Sequence, residues 1–307
     1  MTDDLSKGAA WMKGEIMPLT SAGLQLNDWG VTRSDITYDV VGVWKGGFFR
    51  LDDYLDRFMA SMAAMRLDPG LGREDIREIL HRLVAASGLR DSYVAMVCSR
   101  GQPLIPGIRD PRECANHFYA WCVPYIHVIK PDVADQGASV WIAKDVRRIP
   151  EDSVDPRAKN YHWGDMTAGL FEAKDHGYET VLLLDHQGNV TEGPGFNAFA
   201  LKGDRMVTSH HGVLHGITRR TVIEMAAVDG IETEERPLPL EEFLQADEVF
   251  LSTSGGGVVP ITKVDDRVFS NGAPGPVAAR LRKRYFQWME SPQYRQEISY
   301  AGEAITA

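Results

Sequence analysis

Strand formers cluster in Ile36-Thr37-Tyr38-Asp39-Val40-Val41, and this run predicts a β-strand. It lies within residues 9–51, which read as short strands and tight turns punctuated by Lys13-Gly14 and Lys45-Gly46-Gly47. The period then changes. Leu55, Phe58, Met59 and Met62 recur at three- and four-residue steps, predicting a helix that Asp52 can cap, and residues 73–87 predict a second helix ending at Gly88. The result is a helical hairpin on a small sheet. Residues 93–98 and 117–123 predict two more strands. The loop between them, 99–116, holds three prolines and two glycines, which preclude a long element. Loops of that length are often functional.

After Pro124 the composition turns polar around residue 134, which predicts a boundary between domains spanning 1–130 and 131–307. Beyond it, strands are expected at 180–185, 196–201 and 205–208, separated by His186-Gln187-Gly188-Asn189 and Lys202-Gly203-Asp204. Helices are expected from Thr218 to about 228 and over 280–290. No internal repeat appears, and the order of elements is not that of a parallel α/β protein. The fold class is α+β, with a barrel-like or sandwich second half.

A chain of 307 residues exceeds the usual single-domain size, and 44% hydrophobic with 25% charged residues is an ordinary globular balance. A net charge of -10 with no basic patch disfavours nucleic acid and anionic membranes as partners, leaving small substrates. Cys98, Cys114 and Cys122 are odd in number and lack C-x-x-C spacing, so neither a disulfide framework nor a zinc site is suggested. An acidic start without an apolar segment, and no run of about 18 apolar residues, place the protein in the cytoplasm.

There is no G-x-G-x-x-G after a strand, no Walker lysine loop, no H-E-x-x-H and no G-x-S-x-G elbow. His210, His211 and His215 are close in sequence, but Gly212 breaks any helix that would align them, so they read as solvated loop histidines and no metal is expected. Lys159 stands in Asp155-Pro-Arg-Ala-Lys-Asn-Tyr-His-Trp-Gly-Asp165, among groups that usually bury in a cleft. Alone it would read as a surface lysine, because a buried ammonium is costly without a partner. Its companions are Val190-Thr-Glu192-Gly-Pro-Gly-Phe-Asn197 and two glycine-rich anion nests. The first nest, Gly212-Val-Leu214-His-Gly216-Ile217-Thr218-Arg-Arg220, puts a threonine cap before an amphipathic helix, and the second is Ser252-Thr253-Ser254-Gly255-Gly256-Gly257. Each nest by itself is better explained by a turn that needs positive φ.

Taken together, these segments resemble the fold-type IV pyridoxal-phosphate enzymes, the class of branched-chain and D-amino-acid aminotransferases. The likeness runs from about Trp11 to Tyr285. Within the class, Lys159-Asn-Tyr-His-Trp163-Gly-Asp, Thr191-Glu-Gly-Pro-Gly-Phe-Asn, Ser34-Asp-Ile-Thr-Tyr-Asp-Val and Phe49-Arg-Leu-Asp-Asp are most similar to the (R)-selective amine transaminases. The resemblance implies a small α/β-sandwich N-terminal domain and a pseudo-barrel C-terminal domain carrying the lysine. It implies pyridoxal 5'-phosphate as cofactor, held covalently by Lys159, with Glu192 as partner of the ring nitrogen and Arg57 as a phosphate ligand. Asn197, Leu214, Gly216, Ile217, Thr218 and Thr253 complete the cofactor site. It implies Arg33, Tyr38, Val40, Tyr93, Ala95, Arg109, Trp163, Thr253 and Ser254 around the substrate. It also implies a homodimer with the site at the domain junction, where the partner's 99–116 loop reaches over the substrate.

Each implied role has a physical reason. A desolvated lysine has a lowered pKa, which frees its amine to attack an aldehyde, and the same amine can then shuttle a proton. An ionised Glu192 keeps the ring nitrogen protonated and the ring an electron sink. Arg57 is a forked donor suited to phosphate. The expected reaction passes an amino group from an (R)-configured amine to pyruvate, by a ping-pong route through a pyridoxamine form. D-amino-acid or branched-chain transamination is the nearest alternative, and a lyase or a noncatalytic carrier of the cofactor are further ones. Arg33 stands where the amine transaminases often have histidine, and Ala95 where a larger polar side chain is common; Arg33 or Arg109 is suited to grip a carboxylate.

Overall fold

A computed structural model describes residues 4–300, and the chain divides into two compact units of α+β type. The first comprises residues 4–126, Ala158–Tyr161 and 289–300; the second comprises His127–Arg157 and His162–Trp288. The division differs in three places from the 1–130 and 131–307 domains read from sequence: the boundary falls at residue 126, and two later segments join the first unit. Ala158–Tyr161 joins the first unit because the Lys159 carbonyl accepts hydrogen bonds from Thr37 Oγ1 (2.6 Å) and the Tyr38 N–H (3.2 Å). The chain end joins it because Arg295–Glu297 pairs antiparallel with Gly47–Phe49.

The first unit holds a seven-stranded sheet in the order Arg295–Glu297, Gly47–Phe49, Ile36–Trp44, Ser92–Ser99, His117–Pro124, Ala9–Met12, Glu15–Pro18. Two hairpins close at Lys13-Gly14 (φ 53° and 89°) and Lys45-Gly46 (φ 48° and 85°), left-handed pairs that match the strand twist. The Leu51–Ala64 and Arg73–Ser87 helices bury Leu51, Tyr54, Leu55, Phe58, Met62, Ile76, Leu80 and Leu83. The second helix ends at Gly88 in the left-handed conformation, as its sequence predicts. Asp52 does not cap the first. The cap position falls to Arg50, itself left-handed (φ 55°), and Asp52 sits in the first turn, where its carboxylate binds the Arg73 and Arg77 guanidinium groups.

The second unit is built on a nine-stranded sheet whose main path runs Glu232–Glu235, Arg205–Thr208, Phe196–Lys202, Glu248–Thr253, Gly257–Val264, Ala138–Ile142, Thr180–Leu182. Its centre is antiparallel, but both edges are parallel, with Arg205–Thr208 beside Glu232–Glu235 and Ala138–Ile142 between Gly257–Val264 and Thr180–Leu182. Parallel neighbours need crossover connections. The Ile217–Val228 helix supplies one, and the Gly164–Asp175 helix, which the sequence pattern does not announce, supplies another. Val140, Ile142, Leu182, Phe196, Ala198, Val249, Leu251, Val259 and Ile261 form the core. The expected cap at Thr218 is instead Gly216 without a side-chain bond, and Thr218 lies inside the helix. The last long helix is Pro276–Met289, starting earlier than its apolar period indicated because Pro276 suits a first turn. Among the described residues no helix is long and apolar enough to cross a membrane.

Candidate active site

In the first unit Lys159 is half-buried, not a solvated surface residue. Its main chain is pinned from two sides. The N–H donates to Ser61 Oγ on the Leu51–Ala64 helix (3.2 Å), and the carbonyl takes the bonds from Thr37 and Tyr38. Nζ lies 4.4 Å from the Tyr38 ring centroid, and that ring stacks on Tyr161 at 4.1 Å and 12°. Burial pushes the Tyr161 and Tyr93 phenols far above their ordinary range, so both stay protonated near neutral pH.

One helical turn before Ser61, Arg57 faces Asp39. Its Nε and Nη2 donate to the two carboxylate oxygens at 2.8 and 2.6 Å. Burial disfavours the guanidinium charge, and Asp39 more than offsets it, raising the Arg57 pKa above its usual value. Asp39, which the sequence reading passed over, is fully buried. On the other face of the Ile36–Trp44 strand lie Tyr38 and Val40. Val40 is paired with Ala95, and Tyr93 follows two residues away on the same face, so these four predicted residues share one surface. Arg33 and Arg109 are exposed. Arg33 ends the short Trp29–Arg33 helix with its guanidinium 3.4 Å above the Trp29 ring, and Arg109 lies in the 99–116 loop.

In the second unit Glu192 is buried. Its Oε1 accepts from Arg148 Nε (3.2 Å) and Nη2 (3.1 Å), and its Oε2 accepts from the Leu214 N–H (2.9 Å) and Asn197 Nδ2 (3.4 Å). Asn197 also donates to the Leu214 carbonyl at 2.9 Å, which ties the Glu192 turn to the first glycine-rich segment. The two nests meet where Thr218 Oγ1 lies 3.4 Å from Ser254 Oγ, beside the start of the Ile217–Val228 helix, and Thr253 Oγ1 accepts from the Gly255 N–H at 3.2 Å. Gly216 has an ordinary φ of −62°, so freedom of backbone is not why it is glycine. A Cβ there would stand 2.4 Å from Asn197 Oδ1. Trp163 precedes the Gly164–Asp175 helix, and its ring edge lies 3.9 Å from where a Cβ on Gly195 would sit.

Arg148 and Asp165 are not expected from the sequence, although Asp165 ends the lysine segment 155–165. Arg148 Nη1 donates to Asp165 Oδ2 at 2.7 Å. The three histidines go elsewhere: His211 Nδ1 lies 3.3 Å from Glu151, His210 Nδ1 3.8 Å from Glu235, and His215 Nε2 3.2 Å from the His210 carbonyl. No group of three or more histidine, cysteine or acidic side chains able to hold a metal occurs among the described residues.

In the second unit, a buried carboxylate suits a cationic group and a helix start lined with hydroxyls suits an anion; in the first, a pinned half-buried lysine suits a carbonyl. The sequence profile described as "Amino-transferase class IV" matches residues 37–264. The chain belongs to the class IV aminotransferases. It is 28% identical over 278 residues to a putative branched-chain-amino-acid aminotransferase of Methanocaldococcus jannaschii, covering 90% of this chain and 94% of that one. It is 27% identical over 279 residues to a D-alanine aminotransferase of Bacillus licheniformis, covering 88% and 93%. The crystal structure of a Thermobaculum terrenum branched-chain amino acid aminotransferase in its PLP-form superposes with a TM-score of 0.83 at 26% identity, over 95% of this chain and 98% of that one. Of the site residues expected in this class IV aminotransferase, Arg33 alone falls outside the matched span.

Proposed function

We propose that this class IV aminotransferase carries an amino group from an (R)-configured primary amine to a keto acid such as pyruvate, in a ping-pong cycle through a pyridoxamine form. The cofactor is pyridoxal 5'-phosphate, which when bound supplies an aldehyde for the amino group and a ring that spreads the electrons released at the substrate carbon. The residues present suit it. Thr218, Thr253 and Ser254 with the N–H groups of the Ile217–Val228 helix suit its phosphate, as does Arg57, held flat by Asp39. Glu192 is an acceptor for a protonated ring nitrogen. Lys159 holds the cofactor, then takes the proton from the substrate carbon on Nζ and returns it.

Gly216→Ala is expected to weaken cofactor binding by about tenfold, in keeping with the roughly 1–3 kcal/mol that overpacking costs, because the new methyl displaces Asn197 and the helix start together. A titration of cofactor into the stripped variant measures this, with the melting temperature as control.

The observation favouring an amine donor is the Val40–Ala95 pair, small and apolar, flanked by Tyr38 and Tyr93, a surface suited to an apolar substituent on the donor carbon. The names of the Methanocaldococcus and Bacillus relatives favour the second reading, a branched-chain or D-amino-acid donor. We expect (R)-1-phenylethylamine to be turned over with pyruvate and its (S)-enantiomer to be left. Conversion of D-alanine or L-leucine alone would remove the amine reading and leave the cofactor chemistry standing. We also propose a cytoplasmic homodimer in which the partner's 99–116 loop covers the substrate. Leu104 and Ile105 in that loop, 66% and 57% exposed, are the apolar tip such a contact would bury.

A further inference from the structure

We propose that Arg148 and Asp165 form a positioning relay that fixes the Glu192 carboxylate and leaves it a net negative charge to offer the cofactor's ring nitrogen. The inference rests on the reading of Glu192 as the partner of that nitrogen. All three side chains are buried, with Arg148 9% exposed and the two acids 5% each. Arg148 spends Nε and Nη2 on one oxygen of Glu192 and Nη1 on Asp165. Asp165 is fixed in turn, its Oδ2 accepting the Ile149 N–H at 2.9 Å and its Oδ1 the Met166 N–H at 2.8 Å. It stands in the first turn of the twelve-residue Gly164–Asp175 helix, where the helix dipole favours a carboxylate. Arg148 is itself anchored by its N–H to the Leu184 carbonyl at 2.9 Å.

A buried Arg148–Glu192 pair alone is neutral, and the guanidinium would hold the carboxylate's charge for itself. Adding Asp165 makes the cluster two acids to one base, a buried excess of one negative charge that is costly until a cation completes it. A protonated ring nitrogen is such a cation. Burial opposes the Arg148 charge and the two carboxylates restore it, so the guanidinium pKa lies above its ordinary value. Arginine is required in the middle because one planar fork must reach two carboxylates at once.

The test compares two cofactors on the stripped full-length protein: pyridoxal phosphate, and its 1-deaza analogue in which carbon replaces the ring nitrogen. The wild type should prefer the natural cofactor. Asp165→Asn keeps an acceptor for Arg148 but removes the excess charge. That preference should then fall by about tenfold, the scale of a lost charged hydrogen bond, while affinity for the deaza analogue holds. Arg148→Lys, which cannot bridge both acids, should narrow the preference likewise and decides the matter if Asp165→Asn does not fold by circular dichroism. Equal loss of both affinities would mean a purely structural role and would overturn the relay. A preference unchanged in both variants but lost in Glu192→Gln would also overturn it and leave the Glu192 reading intact. A preference that survives Glu192→Gln would remove that reading itself.

Discussion

Lys159→Ala should remove transamination, lowering turnover by about 10⁴-fold or more, because in the proposed cycle one nitrogen both holds the cofactor and carries the proton. The expectation is specific because the residue's main chain is fixed independently of its side chain. Thr37, Tyr38 and Ser61 bind backbone atoms of Lys159, and none of those bonds is lost when the side chain is cut. Nζ contributes the contact with the Tyr38 ring, a modest interaction of about 0.5–1 kcal/mol at a part-exposed site. The stripped variant should therefore remain folded, as circular dichroism checks, while the rate with the best amine donor collapses. Single-turnover kinetics with the same donor measure the loss. A variant with turnover within tenfold of the wild type would remove Lys159 from the chemistry.

Arg57→Ala should cost the protein twice. Its guanidinium is the partner of Asp39, whose side chain is 0% exposed. Truncating one member of a buried ion pair leaves an uncompensated charge, a loss of about 3–5 kcal/mol. Cofactor retention should fall as well if Arg57 is, as proposed, a planar donor to the phosphate. The double variant Arg57→Ala with Asp39→Asn separates the two effects. Stability measured by chemical denaturation should largely return, since no charge is left stranded, while cofactor affinity should remain weak. Recovery of both would show that Arg57 acts only through the fold.

Much of the fold was legible in local pattern. The Arg73–Ser87 helix and its terminal Gly88, the left-handed turns at Lys13-Gly14 and Lys45-Gly46, and the strand beginning at Ile36 all follow from periodicity and turn chemistry. Illegible features depend on long-range pairing. The Gly164–Asp175 helix starts on one glycine and contains Gly169, whose missing side chain lets Val146 and Val181 approach, so its pattern is weak where its packing is tight. The bond from Thr37 to Lys159 spans 122 positions in the chain and leaves no trace in the sequence around either residue. Asp39 looks like the polar member of an alternating strand, yet it is buried against Arg57. Arg148, beside Arg147 in a polar stretch, looks like surface charge, yet it joins two buried acids. The candidate residues were proposed from the resemblance carried by the segments around Lys159 and Glu192; the structure adds that both are held by hydrogen bonds, Lys159 through its main chain and Glu192 through its carboxylate.

On the proposed reading, Lys159 bonds covalently to pyridoxal phosphate. The protein should be loaded with cofactor, reduced with borohydride, digested and mapped by mass spectrometry. A single cofactor-modified peptide carrying the group on Lys159 is expected, and none after pretreatment with an excess of a good amine donor. A modified lysine elsewhere, or no modified peptide from a protein that binds the cofactor, would contradict it.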